Sequence, residues 1–485
     1  MTPIRRYAVA ALILIASATG CLSVVGSQRP NILYMMADDH TSQAWGCYGS
    51  RLAEYAHTPN IDRLASEGAR LINSFCVNSI CVPSRASVLT GQYSHLNGVK
   101  TLRDSIDPKQ DNVAKQLRAA GYQTAVVGKW HLKTEPAGFD YWNIIRNQGV
   151  YHSPTTYEMS FEKPTQHKGK YSADVFTDLA LDWLNARDKN KPFALMLHFK
   201  ATHEPFQFPA RLKDLYQNVV FPEPEDLFGA TGPKNSRIPG WPLEILKDRM
   251  VSGVKHGDGR LELASDDLQE QRRETYQKFV RDFLRTGAAI DENVGRVLAW
   301  LDHQNLSQNT VVIYTSDQGY FLGEHNYFDK RFMYEQSLRM PFVLRYPAEV
   351  SGGSLVHPMI LNIDFAPTLL DFANHSIPSS IQGRSFRHLL NGQSDRTWRK
   401  SMYYRYWENS EPRPSHYGIR TAKHKLIYYD GLRDATEANR WEFYDLINDP
   451  HELTNQYEDA GYQKTIASLK LALNGLQTEF RDIPE

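Results

Sequence analysis

The sequence has few cysteines and no excess of either charge. Only four cysteines occur in 485 residues, which is too few for a disulfide scaffold in a chain of this length. Lys plus Arg and Asp plus Glu each total 55, so the formal net charge is zero. No overall field favours binding to nucleic acid or to an anionic membrane surface. An anionic ligand must therefore be met by a local cluster of positive charge.

Long apolar runs are also scarce, and the one near the N-terminus is too short to span a bilayer. Arg5 and Arg6 precede an apolar run over residues 7–16, and small residues follow up to Cys21. This pattern predicts a signal peptide over residues 1–21 and an exported protein. The ending Gly-Cys resembles a lipobox, which implies a lipid anchor at Cys21 and a place in the periplasm or at the cell surface. A plain secretory signal with an incidental cysteine is the alternative.

Four short apolar runs end abruptly in residues capable of chemistry, as buried parallel strands do. They occupy residues 32–36, 124–127, 193–197 and 311–314. The polar residues that follow them are Asp38, Asp39, Lys129, His131, His198, His203 and Asp317. Ligands collect at the carboxyl ends of such strands in an open α/β sheet. We therefore expect these residues to share one site.

Helical periodicity, and its absence over one long segment, complete the predicted organisation of the larger domain. Apolar residues from Tyr276 to Leu301 recur at helical spacing, and Asp364 precedes a second apolar helix that we expect it to cap. Residues 206–267 show little periodicity and are predicted to form an irregular insertion. The prediction is an α/β domain over residues 28–397, with helices around a large mixed, mostly parallel sheet.

Short aromatic pieces predict a smaller C-terminal α+β subdomain over residues 398–485. Strand-like segments at 402–407, 417–420, 425–429 and 441–444 precede an amphipathic helix over 466–476. This pattern predicts a small antiparallel sheet closed by one helix.

The strongest local motif begins at Cys81. Pro83 suits the first turn of a helix, so Cys81 is expected at a helix N-terminus, where free N–H groups favour an anion. Arg85, four residues on, can return to the same place and hold an oxygen there. On geometry alone, a cysteine packed under the start of a helix is the simpler interpretation.

Residues 81–91 read CVPSRASVLTG, which is similar to the signature C-x-P-S-R-x-x-x-L-T-G of the type I, formylglycine-dependent sulfatases. The resemblance runs from Pro30 to Pro450 and implies an alkaline-phosphatase-like fold. It implies that a formylglycine-generating or anaerobic sulfatase-maturing enzyme converts Cys81 to formylglycine. The hydrated aldehyde would attack sulfur, and Arg85 would belong to the catalytic group.

Oxygen-rich residues form a second motif. Asp38 and Asp39 in MADDH, and Asp317 and Gln318 in TSDQG, are hard ligands suited to Ca²⁺ or Mg²⁺. The segments resemble the sulfatase metal site, which implies one divalent cation, with Ca²⁺ favoured, bound by these four residues and modified Cys81. Many family members have Asn where Gln318 stands.

Sulfate ester hydrolysis needs cations around the sulfuryl oxygens and an acid for the leaving alkoxide. By resemblance, Lys129, His203 and Lys330 hold the sulfate. His131 contacts the formylglycine and assists its breakdown, and His203 is the candidate acid for the leaving oxygen.

The segments DDHTSQA, TSDQGYFLGEH and FDKRFMYE resemble bacterial carbohydrate sulfatases, including N-acetylglucosamine-6-sulfatases. The prediction is hydrolysis of sulfate esters on a carbohydrate, without nucleic acid and with membrane contact only through a lipid anchor. His40, His325 and the aromatic run 403–407 are candidates for a sugar subsite, or the run is the packed face of the small sheet. Cys47 and Cys76 pair or stay buried.

Two alternatives to this prediction stay open. One is a phosphonate or phosphate ester hydrolase, which shares the metal and the Cys-derived chemistry. The other is an inactive glycan-binding surface lipoprotein. The intact set of site residues argues against the second, because a binding protein does not need it.

Overall fold

A computed structural model describes residues 29–254, 256, 259–432 and 435–482. The predicted signal peptide and Cys21 lie outside these residues. No helix within them is both long and apolar enough to cross a membrane.

The regular elements are named here in chain order. The strands are β1 (Asn31–Asp38), β2 (Ala69–Leu71), β3 (Ser74–Phe75), β4 (Gln123–Lys129), β5 (Tyr141–Ile145), β6 (Thr155–Glu158), β7 (Pro164–Gln166), β8 (Phe193–Thr202), β9 (Thr310–Ser316), β10 (Phe321–Leu322), β11 (Phe328–Asp329), β12 (Phe342–Arg345), β13 (Ser354–Val356), β14 (Ile360–Leu361), β15 (Ser401–Tyr406), β16 (His416–Thr421), β17 (His424–Tyr428) and β18 (Trp441–Asp445). The α-helices are α1 (Pro59–Glu67), α2 (Cys81–Thr90), α3 (Ser94–Asn97), α4 (Val113–Ala119), α5 (Ser172–Ala186), α6 (Leu243–Ser252), α7 (Leu268–His303), α8 (Glu335–Leu338), α9 (Phe365–Phe372), α10 (Arg387–Leu390) and α11 (Gln463–Phe480).

A ten-stranded sheet forms the centre of the larger part, in the order β13-β2-β12-β9-β1-β8-β4-β5-β6-β7. The neighbours β9, β1, β8, β4 and β5 run parallel, whereas β12 and β6 pair antiparallel with their neighbours. The four apolar runs predicted as parallel strands are β1, β4, β8 and β9, so that prediction is confirmed. Their carboxyl ends meet at one edge of the sheet.

Both faces of this sheet are buried, as the alternation along β1 illustrates. Ile32 and Tyr34 belong to a core shared with α2, α4 and α9, whereas Leu33 and Met35 belong to a core beneath α1, α5 and α7. Successive side chains of a strand point to opposite faces, so helices cover both sides. The predicted sandwich of helices around a mixed, mostly parallel sheet is confirmed.

The C-terminal part contains the predicted antiparallel sheet, in the order β15-β16-β17-β18. The four aromatic segments coincide with these strands, and the predicted helix lies within α11, which packs on the sheet. The boundary between residues 397 and 398 stays a prediction.

Two local predictions need correction. Asp364 precedes α9 but caps none of its N–H groups, because its carboxylate accepts hydrogen bonds from the backbone N–H groups of Leu361 and Arg384 and pairs with Arg399. The insertion over residues 206–267 is largely irregular but contains the regular helix α6, whose buried residues pack on α7. The cysteines Cys47 and Cys76 are unpaired.

Candidate active site

The strand ends bring the predicted site residues together. Parallel register aligns Asp38 of β1 with Thr202 of β8, and Ala37 of β1 with Ser316 of β9. Gly128 on β4 permits the close approach of β8, because it has a φ of +100° and a Cβ there would lie 2.0 Å from the carbonyl oxygen of His198. Residues that follow these strands therefore converge.

Three carboxylates form the floor of the site. Oxygens of Asp38, Asp39 and Asp317 all lie within 4.8 Å of one another, and the three residues are fully buried. Two further oxygens, Asp38 Oδ1 and Gln318 Oε1, are buried without a hydrogen-bond partner in the described part of the chain. Carboxylate and amide oxygens in this number fit a hard divalent cation.

Burial and neighbouring charge shift the pKa values of the three carboxyl groups in different directions. Burial raises the pKa of Asp39 to about 6, although Lys330 acts to lower it, and raises the pKa of Asp317 to about 7, against the effect of Arg85. Burial acts on Asp38 too, but Lys129 and nearby cations outweigh it and hold its pKa well below the usual value. Positive charge placed beside Asp39 and Asp317 would therefore lower their raised pKa values and favour the ionised carboxylates.

Cys81 is the first residue of α2, and its buried Sγ lies 3.6 Å from Gln318 Nε2. Burial raises the pKa of its thiol. One turn later, Arg85 Nε donates to Asp317 Oδ2 at 2.9 Å and Nη1 donates to the carbonyl of Lys129 at 2.8 Å. Its Nη2 is buried with no hydrogen-bond partner among the described residues. The arginine thus joins the helix start to the carboxylates and keeps one donor available.

Two lysines approach the carboxylates from different elements. Lys129, at the end of β4, contacts Asp38 and donates to Gln148 Oε1 at 2.6 Å. Lys330 Nζ lies 2.5 Å from Asp39 Oδ2. Burial works against the charge of Lys330, but Asp39 and its other acidic neighbours raise its pKa well above the usual value.

The two predicted histidines lie at the same edge. His203 Nε2 is 3.9 Å from Asp39 Oδ2, and its Nδ1 lies 2.7 Å from the carbonyl oxygen of Glu204. A ligand atom of His203 also lies within 4.8 Å of Cys81 Sγ and an Asp38 oxygen. His131 Nδ1 is buried without a partner in the described ranges. Burial is the main cause that lowers the pKa of both rings, and nearby lysines add to it.

Several site residues adopt left-handed backbone conformations that favour glycine. The φ angles are +70° at Asp39, +62° at His131, +79° at Asp329 and +100° at Arg331. Such conformations cost energy and persist where the surrounding structure imposes them, often at functional sites.

Lys200 of β8 belongs to the site but escaped the sequence prediction, whereas His198 was expected at this strand end. His198 and Lys200 alternate with apolar residues along β8 and point to the same face as Thr202. Lys200 Nζ lies 4.7 Å from the ring centroid of Tyr151, and burial is the main cause that lowers its pKa to about 7. The polar alternation in H-F-K-A-T was the signal that could have indicated Lys200.

A second missed group supports His203. Glu204 pairs with Arg249 of α6 at 2.9 Å and lies 3.3 Å from His256 Nε2. Tyr151 OH donates to the backbone carbonyl of His203. These partners come from the irregular insertion and from a loop, where the sequence carries no periodic signal.

The candidates for a sugar subsite are largely buried. His40 is fully buried and lies 2.8 Å from Tyr314 OH, and His325 is 1% exposed. Neither lines an accessible subsite. Tyr403, Tyr404 and Tyr406 belong to the core, so the packed-face alternative holds for them, whereas Trp407 is partly exposed.

Comparisons with known proteins show the family to which the chain belongs. The sulfatase family model matches residues 30–375, and the model described as N-sulphoglucosamine sulphohydrolase, C-terminal, matches residues 323–479. An N-acetylglucosamine-6-O-sulfatase of Bacteroides thetaiotaomicron is 40% identical, over 94% of this chain and 88% of the relative. The chain belongs to the sulfatase family and is a sulfuric ester hydrolase.

Solved structures resemble this fold over most of its length. A protein in complex with its substrate, D-glucosamine-2-N,6-O-disulfate, matches with a TM-score of 0.85 and 38% identity, over 94% of this chain and 99% of that chain. A phosphonate monoester hydrolase of Silicibacter pomeroyi has a TM-score of 0.71 at 21% identity, over 94% of this chain and 96% of that chain. The second likeness shows the fold alone.

Proposed function

We propose that the protein hydrolyses sulfate esters on a carbohydrate and that 6-sulfated glucosamine, with or without further substituents, is its substrate class. The observation that carries the proposal is the meeting of Cys81, the acidic cluster and two lysines at one sheet edge. The names of the similar proteins support the sugar: one is an N-acetylglucosamine-6-O-sulfatase, and another was solved with a disulfated glucosamine.

The acidic cluster is proposed to bind one divalent cation, with Ca²⁺ favoured. Asp38, Asp39, Asp317 and Gln318 supply the oxygens, and Asp38 Oδ1 and Gln318 Oε1, which accept no hydrogen bond from the described residues, support this role. The absence of a soft ligand other than Cys81 in this set argues for a hard cation. A bound cation would supply positive charge next to the nucleophile and the sulfate.

Cys81 is proposed to be converted to formylglycine, whose hydrated form supplies an oxygen nucleophile. The chain's own residues would position this group. The N-terminus of α2 would offer its first N–H groups to an anion. Arg85 Nη2, which makes no hydrogen bond with a described residue and lies 3.9 Å from Asp38 Oδ1, would offer a further donor. His131, whose Nδ1 is unpartnered in the described ranges, is proposed to contact the modified residue.

Lys129, Lys330 and His203 are proposed to hold the sulfate. Their positions against Asp38 and Asp39 put positive charge where sulfuryl oxygens would lie beside the cation. His203 is further proposed to protonate the leaving sugar oxygen through Nε2. Its low pKa makes the free ring neutral, and the negative charge of a bound sulfate ester would raise that pKa.

Export and maturation complete the proposal. The N-terminal segment supports export to the periplasm or cell surface, with a lipid anchor at Cys21, and the motif at Cys81 supports recognition by a sulfatase-maturing enzyme. Fractionation of cells, with mass analysis of the mature N-terminus, tests the location. A cytoplasmic protein with an intact N-terminus would refute it.

A panel of substrates tests the function. Protein carrying the aldehyde at Cys81, verified by mass, is assayed on 6-sulfated N-acetylglucosamine, heparin and chondroitin disaccharides, and ulvan and carrageenan oligomers. We expect sulfate release from the 6-sulfated glucosamine compounds. Paired sulfate and phosphate esters of one phenol test the alternative, since faster phosphate or phosphonate release would favour the other hydrolase class.

A further inference from the structure

Arg413 stands over an aromatic ring next to the proposed active site. Its guanidinium carbon lies 4.2 Å from the ring centroid of Trp241, within the range for a cation–π contact. The same ring lies 4.7 Å from the Arg249 guanidinium and 5.3 Å from the ring of Phe328. Arg413 and Trp241 are both only partly buried. The arginine is therefore held in place yet close to solvent.

The charge of Arg413 is not compensated as those of its neighbours are. Arg249 pairs with Glu204 at 2.9 Å, and Arg331 pairs with Asp329 at 2.7 Å and Glu408 at 3.0 Å. The Arg413 guanidinium makes no hydrogen bond or ion pair with any described residue, and its Nε is buried without a partner. An arginine in this state is an open receptor for an anion, because its rigid fork matches two oxygens at once.

A backbone hydrogen bond connects Trp241, on which Arg413 packs, to the segment that carries Lys330. The carbonyl of Trp241 accepts the N–H of Phe328 at 3.1 Å, two residues before Lys330. The Arg331 guanidinium lies 5.9 Å from the Trp241 ring. Lys330 itself reaches Asp39 of the acidic cluster. Arg413 thus packs on a ring whose backbone is bonded to the segment that carries Lys330.

Space for a larger ligand lies beside Arg413. A cavity of about 620 Å³ opens against the next residue, Pro414, and against the 409–411 segment. Ser410 exchanges backbone hydrogen bonds with Arg413 and also lines this cavity. A volume of this size accommodates a sugar unit or two.

We propose that Arg413, held on Trp241, is an anion subsite that recognises a second negatively charged group of the saccharide, a sulfate or a carboxylate. The inference rests on the proposed function, since it assumes that a sulfated saccharide occupies the adjacent site. Burial, with the charge of Arg331, lowers the pKa of Arg413, so an anion that pairs with the group relieves an existing electrostatic cost. The protein would then prefer saccharides with at least two anionic groups.

Steady-state kinetics on three saccharides test the proposal. They are 6-sulfated N-acetylglucosamine, glucosamine bearing N- and 6-sulfates, and 6-sulfated N-acetylglucosamine linked to a uronic acid. In Arg413→Met we expect kcat/KM to fall roughly ten- to a hundredfold on one or both doubly charged compounds and to change little on the singly charged one. The compound that loses most identifies the second anion as sulfate or carboxylate.

Two variants control the measurement. Arg237→Met removes an exposed arginine that lines the same cavity and contacts no aromatic ring of the described residues; a selective loss on the doubly charged saccharides equal to that of Arg413→Met would assign the effect to the charge of the cavity as a whole and overturn the proposal. Arg413→Lys keeps the charge without the fork and should retain part of the preference; it decides the question if Arg413→Met fails to fold. Equal effects of Arg413→Met on all three saccharides, or no effect, would overturn the proposal.

Binding to a Cys81→Ala protein separates this proposal from the proposed function. Calorimetric titration with the same three saccharides does not depend on turnover. Tighter binding of a doubly charged saccharide, lost on adding Arg413→Met, supports the subsite even if no saccharide is hydrolysed. Equal binding of all three saccharides before and after Arg413→Met overturns the subsite even if hydrolysis occurs.

Discussion

His203→Ala should lower kcat/KM for hydrolysis of a sugar sulfate far more than for hydrolysis of an aryl sulfate. If His203 only holds the sulfate, it loses one hydrogen bond to a charged group, which contributes about 1.5–3 kcal/mol, or roughly ten- to 150-fold in rate on either substrate. If its Nε2 also protonates the leaving oxygen, the sugar alkoxide loses a further factor of about 100 to 10,000. Nitrophenoxide leaves without that proton, so the rate on the aryl ester should not show this further reduction.

The geometry supports an oriented acid. The carbonyl of Glu204 lies 2.7 Å from Nδ1, which directs Nε2 toward Asp39 and the site. Tyr151→Phe, which removes the hydroxyl that donates to the His203 carbonyl, should give a smaller loss of the same kind. His167→Ala, a change at a histidine bound to Thr156 on the far β-strands, is the matched control and should leave both rates unchanged.

The assay is kcat/KM on 6-sulfated N-acetylglucosamine and on nitrophenyl sulfate, measured with aldehyde-bearing proteins. Equal losses on both substrates in His203→Ala would refute the acid role and leave His203 as a sulfate ligand. A pH profile adds a second readout, because removing an acid abolishes the descending limb at high pH on the sugar sulfate alone.

Three further predictions follow from the same structure. Asp317→Asn should abolish the rise in Tm that Ca²⁺ gives the wild-type protein, about 2.7 kcal/mol of stabilisation at a hundredfold excess over Kd; an undiminished rise in thermal shift assays would contradict the metal site. Cys81→Ala should keep the far-UV spectrum and Tm but release no sulfate, and residual turnover would remove the nucleophile assignment. Asp291, whose carboxylate accepts the N–H groups of Asn60 and Ile61 at 3.0 and 2.8 Å, has a pKa raised by burial to about 6. The folded protein therefore binds more protons than the unfolded chain between about pH 4 and 6, so unfolding free energy falls as pH rises through this window. In Asp291→Asn, the loss of unfolding free energy between about pH 4 and 6 should be smaller by up to about 3 kcal/mol. Urea titrations at several pH values measure it, and the same pH dependence in the variant and the wild type would contradict the assigned pKa.

The central strands of the large sheet could be predicted because each has a distinct sequence pattern. β1, β4, β8 and β9 are buried on both faces, so each appears in the sequence as an unbroken apolar run followed at once by polar residues. A shared edge for Asp38, Lys129, His203 and Asp317 follows from parallel pairing alone. The predicted chemistry came from the resemblance of these segments and of the Cys81 motif to the sulfatase family.

The parts that were missed depend on contacts between distant segments. Asp364 looked like a helix cap, but Arg399 and the backbone N–H groups of Leu361 and Arg384 hold its carboxylate. His40 looked available for a sugar, yet Trp45 and Phe283 enclose it. The ion pair of Glu204 with Arg249 brings α6 to the site. The spacing of residues along the sequence does not predict an ion pair between a loop and an insertion.

Sulfate release from 6-sulfated N-acetylglucosamine, measured by ion chromatography on wild-type protein and on Cys81→Ala, tests the central claim most directly. The wild-type protein must first show the mass of formylglycine at residue 81. We predict Ca²⁺-dependent release by the wild type and none by the variant. Absence of release by the aldehyde-bearing wild type, on this compound and on its N-sulfated counterpart, would contradict the proposed substrate class.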